Sequence, residues 1–214
     1  IDVKFDEKMN DPKVYKLWQN GESVGIFQFE SQGMTNFMKE LKPDCLEDII
    51  AGVSLYRPGP MDQIPRYIAN KKDPEHAVYT HPALKPILEV TYGCMVYQEQ
   101  VMQIVRDLAG YSLGRADLVR RAMGKKKLDV MAKEREIFIH GQTDENGNIV
   151  VPGCIRNGID EQSANKIFDE MAEFAKYAFN KSHAAAYAVV SYRTAYLKAY
   201  YPTEFMAAML NSFL

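Results

Sequence analysis

Apolar residues recur along this chain at helical rather than strand spacing, and proline and glycine cut the recurrences into segments. This pattern constrains the fold more than any other feature. A 3.6-residue period sustained over about ten residues lays down a stripe that only a helix can bury. Asp11-Pro12 supplies an N-cap followed by proline at the first helical position, ahead of Val14, Tyr15, Leu17 and Trp18, and Gly21 stops that helix. Ser31 or Glu30 opens a second, with Met34, Phe37, Met38 and Leu41 on one face. A third begins at Pro43-Asp44, turns Leu46, Ile49, Ile50 and Val53 inward, and must end before Arg57-Pro58-Gly59-Pro60, because residues preceding proline avoid the helical region. Residues 58–92 are proline-rich, with short helices predicted around Tyr67-Ile68 and over 84–88. Longer helices are predicted over 95–108, 112–123, 129–140, 160–176 and 182–200, with Ser182 as the N-cap of the last of these, and a final helix starts at Pro202. The one clear hairpin signal lies over 143–153, where Asn146-Gly147 tolerates the positive φ of a tight turn. Weak alternation over 24–29 admits a short strand. The expected fold class is therefore mainly α, with several helices and one short β-hairpin.

Composition agrees with a folded chain of one large domain or two small ones: 214 residues, 47% apolar and 25% charged. No apolar run approaches the roughly 20 residues that span a bilayer, and no signal segment opens the sequence. Cys45, Cys94 and Cys154 are odd in number and far apart, which suggests core residues in a reducing cytosol rather than disulfides or zinc ligands. His76, His81, His140 and His183 lack metal-ligand spacing, so no metal site is expected. No nucleophile elbow and no Gly-x-x-x-x-Gly-Lys-[Ser/Thr] loop is present. The chain opens on Ile1 and runs directly into charged sequence, which suggests a piece of a longer protein.

The densest charge is Arg120-Arg121-Ala122-Met123-Gly124-Lys125-Lys126-Lys127, in a chain whose formal net charge is −2. Between Arg115 and Arg135 there are eight basic and three acidic residues. Cations completing a helix dipole account for one or two of these. Adjacent arginines are less easily explained that way, because the guanidinium fork matches phosphate oxygens. Pattern alone leaves both readings open, a solvated surface and a phosphate site. In Phe179-Asn180-Lys181-Ser182-His183, Ser182 offers a helix start that could meet an anion, and a plain capping turn explains it equally. The small residues that follow allow close approach of a backbone or a flat ligand. Tyr187, Tyr192, Tyr196, Tyr200 and Tyr201 supply rings for core packing or for stacking on bases. Arg57 stands on a rigid loop. Tyr97-Gln98-Glu99-Gln100 opens a helix with caps or hydrogen bonds to a neighbour, and no catalytic pair is evident there.

Six stretches, in this order, resemble the C-family replicative polymerases, the alpha subunits of bacterial DNA polymerase III: Gly25-Ile26-Phe27-Gln28-Phe29-Glu30-Ser31, Leu55-Tyr56-Arg57-Pro58-Gly59-Pro60-Met61, Thr91-Tyr92-Gly93, Tyr97-Gln98-Glu99-Gln100-Val101-Met102-Gln103-Ile104, Leu118-Val119-Arg120-Arg121-Ala122-Met123-Gly124-Lys125-Lys126-Lys127, and Phe179-Asn180-Lys181-Ser182-His183-Ala184-Ala185-Ala186-Tyr187. Each is weak alone; together they are specific, and with the last running on through Leu197-Lys198-Ala199 to Ala208 the resemblance extends over nearly the whole chain. Three departures stand out: residues 142–159 are longer than the family pattern, Arg115 replaces a small residue, and the loop over 60–67 is shorter.

The resemblance implies a helical fingers domain over 26–214, with a division into two subdomains near 58–92, and a connection from a palm domain over 1–25. It implies a cytoplasmic DNA-directed DNA polymerase whose catalytic aspartates and Mg²⁺ lie in the palm, outside this chain, leaving the fragment inactive alone. Arg120 and Arg121 match the paired arginines facing the dNTP triphosphate. Lys125, Lys126 and Lys127 match the basic run behind them. Lys181, Ser182, His183 and Tyr187 become candidates for nucleotide or DNA contacts, with Arg57 as a further one. Implied partners are dNTP, primer-template DNA, the other domains of the same polypeptide, and the clamp and exonuclease subunits, with no membrane. A different class remains open: a self-contained helical nucleic-acid-binding or subunit-interaction module. A net charge of −2 counts against a dedicated DNA binder.

Overall fold

A computed structural model describes residues 4–125 and 128–212. Eleven α-helices follow one another among these residues: α1 Pro12–Asn20, α2 Gln32–Leu41, α3 Leu46–Leu55, α4 Ile64–Lys72, α5 Lys85–Leu88, α6 Gln98–Ala109, α7 Leu113–Gly124, α8 Leu128–His140, α9 Glu161–Phe174, α10 Lys181–Tyr200 and α11 Pro202–Asn211. The antiparallel strands β1 Gln142–Thr143 and β2 Ile149–Val151 lie between α8 and α9. The mainly α reading with one short hairpin therefore holds.

Contacts divide the chain into two compact units, one made of Ile1–Ile64 with Lys181–Leu214, the other of Pro65–Asn180. In the first, Asp11 caps α1 by accepting from the Lys13 amide at 2.8 Å, and Ser31 caps α2 by accepting from the Met34 amide at 3.3 Å. Val14, Tyr15 and Trp18 from α1 are buried with Phe29, Met38 and Ile49. The Trp18 and Phe29 rings meet edge to face, with centroids 5.6 Å apart. Helix α10 packs most extensively on α3. Its buried face is built from Ala184, Ala188, Ser191 and Ala195, opposite a helix that buries Ala51 and Gly52. The small residues thus serve close helix packing. Tyr192 is buried, and its hydroxyl accepts from the Asp11 amide at 3.0 Å and donates to Asp6 Oδ2 at 3.1 Å. Tyr196 and Tyr200 pack tilted against each other with centroids 4.7 Å apart and donate to Lys4 O and Asp11 Oδ2. These tyrosines fasten the N-terminal segment to α10.

Two expectations are corrected in this unit. Residues 24–29 form turns, not a strand. Ile26 and Phe29 amides donate to Ser23 and Ile26 carbonyls, and Gly25 and Gln28 both have positive φ. With no partner strand, the backbone finds side chains: Glu30 Oε1 accepts from the Gly25 amide, Thr194 Oγ1 accepts from the Phe27 amide, and Ser191 Oγ donates to the Phe27 carbonyl. Ser182 is not an N-cap either. Helix α10 begins one residue earlier, at Lys181, which leaves Ser182 exposed inside the first turn.

The second unit has a single apolar cluster in which Val101, Ile104 and Leu108 of α6, Val119 and Met123 of α7, Phe138 of α8 and Phe168 of α9 are all buried. Gln100 is the polar hub that shapes the entry to α6. Its Oε1 accepts from the Val96 and Tyr97 amides at 2.8 and 3.0 Å, and its Nε2 donates to Thr91 Oγ1 at 2.8 Å. Behind the hairpin, the amides of Cys154 and Ile155 donate to the carbonyls of Phe138 and Ile139, and the Gly153 amide donates to Ala109 O at 2.9 Å. Carbonyls left over at the ends of α6 and α8 are satisfied in this way. The hairpin turn spans Asp144 to Asn148, with the Asp144 side chain accepting from the Asn146 and Asn148 amides; only Gly147 of the Asn-Gly pair has positive φ.

Candidate functional site

Helix α7 starts from Ser112, which accepts from the Arg115 amide at 3.3 Å. It buries only a narrow stripe, Ala116, Val119 and Met123. At helical spacing, Asp117, Leu118 and Arg121 therefore fall toward the other side. Leu118 is 65% exposed despite its apolar character. On this surface Asp117 gathers both arginines, at i+3 and i+4. Arg120 donates to Asp117 Oδ1 from Nη2 at 2.7 Å and from Nε at 3.0 Å, and Arg121 Nε lies 2.8 Å from Asp117 Oδ2. Arg120 also donates from Nη1 to Gln98 Oε1 at 2.8 Å. The hydrogen bond from Arg120, helped by the charges of both guanidiniums, holds the Asp117 carboxyl below its ordinary range against the opposing effect of desolvation.

Gln98 belongs to a joint between the start of α6 and the segment before α10. Its amide donates to Phe179 O at 2.9 Å, Tyr97 and Phe179 form a parallel bridge, and Asn180 Nδ2 donates to Glu99 Oε1 at 3.0 Å. The Tyr97-Gln98-Glu99-Gln100 motif thus forms the caps and neighbour hydrogen bonds expected of it, Gln100 at the entry to α6 and Glu99 with Asn180, while the bond from Arg120 to Gln98 was not foreseen. Asp117 was also missed, although a carboxylate three and four residues before two arginines is a legible ion-pair signal.

The rest of the basic stretch divides. Lys125 is exposed at the end of α7. Lys126 and Lys127 lie outside the described residues. Arg115 is structural: it donates to Gln142 Oε1 and Glu134 Oε1 and lies over the Tyr111 ring at 5.1 Å. Arg135 is bound to Asn165 and Asp169 and lies over Phe168. Two of the eight cations counted from the sequence are therefore committed to packing.

The other candidates belong to the first unit. Lys181 Nζ lies 3.0 Å from both carboxylate oxygens of Glu47 on α3. The exposed His183 ring packs tilted against Tyr187 with centroids 4.3 Å apart, and Tyr187 packs on Phe27 at 5.3 Å. Arg57 is half-buried and donates from Nε to Ser54 O at 3.0 Å; burial lowers its pKa. Among the described residues, the one grouping with metal-ligand spacing is Asp44, Cys45 and Asp48, whose ligand atoms lie within 4.8 Å of one another. It suits Mg²⁺ poorly, since a thiol joins the two carboxylates, and the buried Asp48 already accepts from the Asp44 amide at 3.1 Å. No helix among the described residues is long and apolar enough to cross a membrane.

Comparison with known proteins assigns this scaffold to a class, the finger domains of polymerases: residues 3–146 match the family model for the bacterial DNA polymerase III alpha subunit finger domain. The chain belongs to that family. It is 51% identical over 217 residues to DNA polymerase III subunit alpha of Thermus aquaticus, an alignment covering 99% of this chain and 17% of that protein. The subunit of Rickettsia bellii is 52% identical over 212 residues, covering 99% of this chain and 17% of the relative. That of Pasteurella multocida is 51% identical over 214 residues, covering 95% and 17%. The chain thus spans about one sixth of the length of these curated relatives.

Proposed function

We propose that this chain is the finger portion of a cytoplasmic DNA-directed DNA polymerase, in which Arg120 and Arg121 bind the triphosphate of the incoming dNTP. Lys125, Lys126 and Lys127 add positive charge for nucleotide or DNA. Lys181, Ser182, His183, Tyr187 and Arg57 provide further contacts to nucleotide or primer-template DNA. Mg²⁺ held by palm carboxylates outside this chain would supply the metal-ion chemistry of nucleotidyl transfer. This chain contributes positioning and charge neutralisation at phosphate oxygens, which is where phosphoryl transfer gains much of its rate. Other domains of the polypeptide, and clamp and exonuclease subunits through them, are its partners, and the fragment alone is inactive.

The observation that carries this reading is the pair of guanidiniums gathered on a single carboxylate at the outer face of α7, with Arg121 63% exposed. Two arginines against one aspartate leave a net positive charge able to take an anion. The test is single-nucleotide incorporation by the full-length polymerase carrying Arg120→Ala or Arg121→Ala. The expected result is a dNTP KM raised roughly tenfold or more, the effect of losing a hydrogen bond to a charged group, with primer-template affinity nearly unchanged. Unaltered dNTP kinetics in both variants would remove the triphosphate assignment. Tight salt-dependent DNA binding by the fragment, with no nucleotide effect in the whole enzyme, would favour a nucleic-acid-binding module.

A further inference from the structure

The two arginines share one carboxylate, yet they differ in what each has left to offer. Arg120 uses Nε and Nη2 on Asp117 Oδ1 and Nη1 on Gln98 Oε1, and its side chain is 24% exposed. Three of its nitrogens are thereby occupied by its own unit. Arg121 meets Asp117 through Nε alone, and its terminal amino groups have no protein partner among the described residues. Holding a guanidinium at Nε leaves free the end-on edge formed by Nη1 and Nη2, the edge that takes two oxygens of one phosphate. The pair is therefore asymmetric, a braced arginine beside a presented one.

We infer that Asp117 is a positioning residue for phosphate binding: it fixes Arg121 at Nε so that its terminal fork faces a ligand phosphate, while Arg120, held between Asp117 and Gln98, braces the carboxylate. The inference rests on the triphosphate reading above. An ordinary helical ion pair of this spacing would contribute a little stability and nothing to ligand affinity. Here the carboxylate also limits the rotamers of a long side chain, so less freedom is lost when phosphate binds.

The test uses the full-length polymerase with Asp117→Asn, Asp117→Glu, Arg121→Ala and the double variant Asp117→Asn/Arg121→Ala. The readouts are the KM and kcat for dNTP, inhibition by inorganic tripolyphosphate, primer-template affinity and the thermal midpoint. Asp117→Asn is expected to raise the dNTP KM and the tripolyphosphate inhibition constant roughly tenfold, with fold and primer-template affinity retained. Asp117→Glu, which keeps the charge within reach, recovers most of the loss. In the Arg121→Ala background, Asp117→Asn adds less than about twofold, because its effect passes through Arg121. A fall in KM on Asp117→Asn would show a competing counter-ion instead and overturn the inference, as would an undiminished effect without Arg121. A raised KM in Arg121→Ala with Asp117→Asn silent overturns the positioning role alone. A silent Arg121→Ala overturns this inference, and only Arg120→Ala silent as well overturns the triphosphate reading.

Discussion

Gly141 and Gly153 meet backbone to backbone: a β-carbon on Gly153 would stand 2.3 Å from the amide nitrogen of Gly141. Both residues have positive φ, 84° and 79°. Two chain segments converge here, one leaving α8 and one returning from β2, and no side chain fits between them.

Gly153→Ala is therefore expected to destabilise the protein by more than about 3 kcal/mol, adding a steric clash to the strain of an alanine in the left-handed region. Gly147→Ala is the control. Its φ is equally positive, at 80°, but nothing lies within 4 Å of its would-be β-carbon, so the cost is about 1 kcal/mol. Chemical denaturation of the two variants should rank them in that order; equal losses would refute the close approach.

Gln100→Leu removes the acceptor for two buried amides and the donor to Thr91 while keeping the side-chain volume. Each unsatisfied buried group costs about 1–3 kcal/mol, so a loss of about 2–4 kcal/mol is expected. Hydrogen exchange should show faster exchange at the Val96 and Tyr97 amides. Protection equal to wild type would mean that the hub is dispensable.

Burial pushes the thiol of Cys154 up to about 12 and that of Cys94 up to about 11, from an ordinary value of 9.0. The folded state keeps these protons while the unfolded chain releases them. The associated stability is complete below pH 9 and declines as pH rises from 9 toward 11–12. Cys154→Ala, whatever its effect at neutral pH, should flatten the alkaline limb of a stability–pH curve. An unchanged slope would show that Cys154 is not the source. In native protein, thiol reagents should modify Cys45 before the two buried cysteines.

The Lys181–Glu47 pair is partly exposed at both ends, with side chains 33% and 40% accessible. Glu47→Gln should therefore cost less than about 1 kcal/mol, and the difference from wild type should shrink at about 1 M salt. A larger loss that persists in salt would show that the pair is a structural keystone of the α3–α10 contact.

Much of this fold was legible in the sequence because capping chemistry is local. Asp11 caps α1 as its side chain predicted, Ser31 proves to be the cap of the two residues that could open α2, and Gly21 ends α1 with positive φ. Ser182 failed for a reason of the same kind: a serine in a capping context signals a nearby helix start but not which residue occupies it. Residues 24–29 misled because alternation reports one buried face without naming the backbone's partner, and here the partners are side chains of α10 and Glu30. The arginine pair was visible as charge, but its geometry was not. Which guanidinium edge stays open depends on Gln98, and no local pattern ties Gln98 to Arg120 across 22 residues.

The division of the chain also bears on how it is made. Pro65–Asn180 is a continuous stretch, and the apolar cluster it buries is drawn wholly from within it. The other unit is discontinuous: the Asp11 amide reaches its acceptor on Tyr192 across 181 residues. During synthesis the middle stretch can fold as soon as it has left the ribosome, whereas α1 to α3 must wait for α10 to be translated. Until then the apolar faces holding Trp18 and Phe29 lack part of their cover, and exposed apolar surface of this kind favours association between incomplete chains.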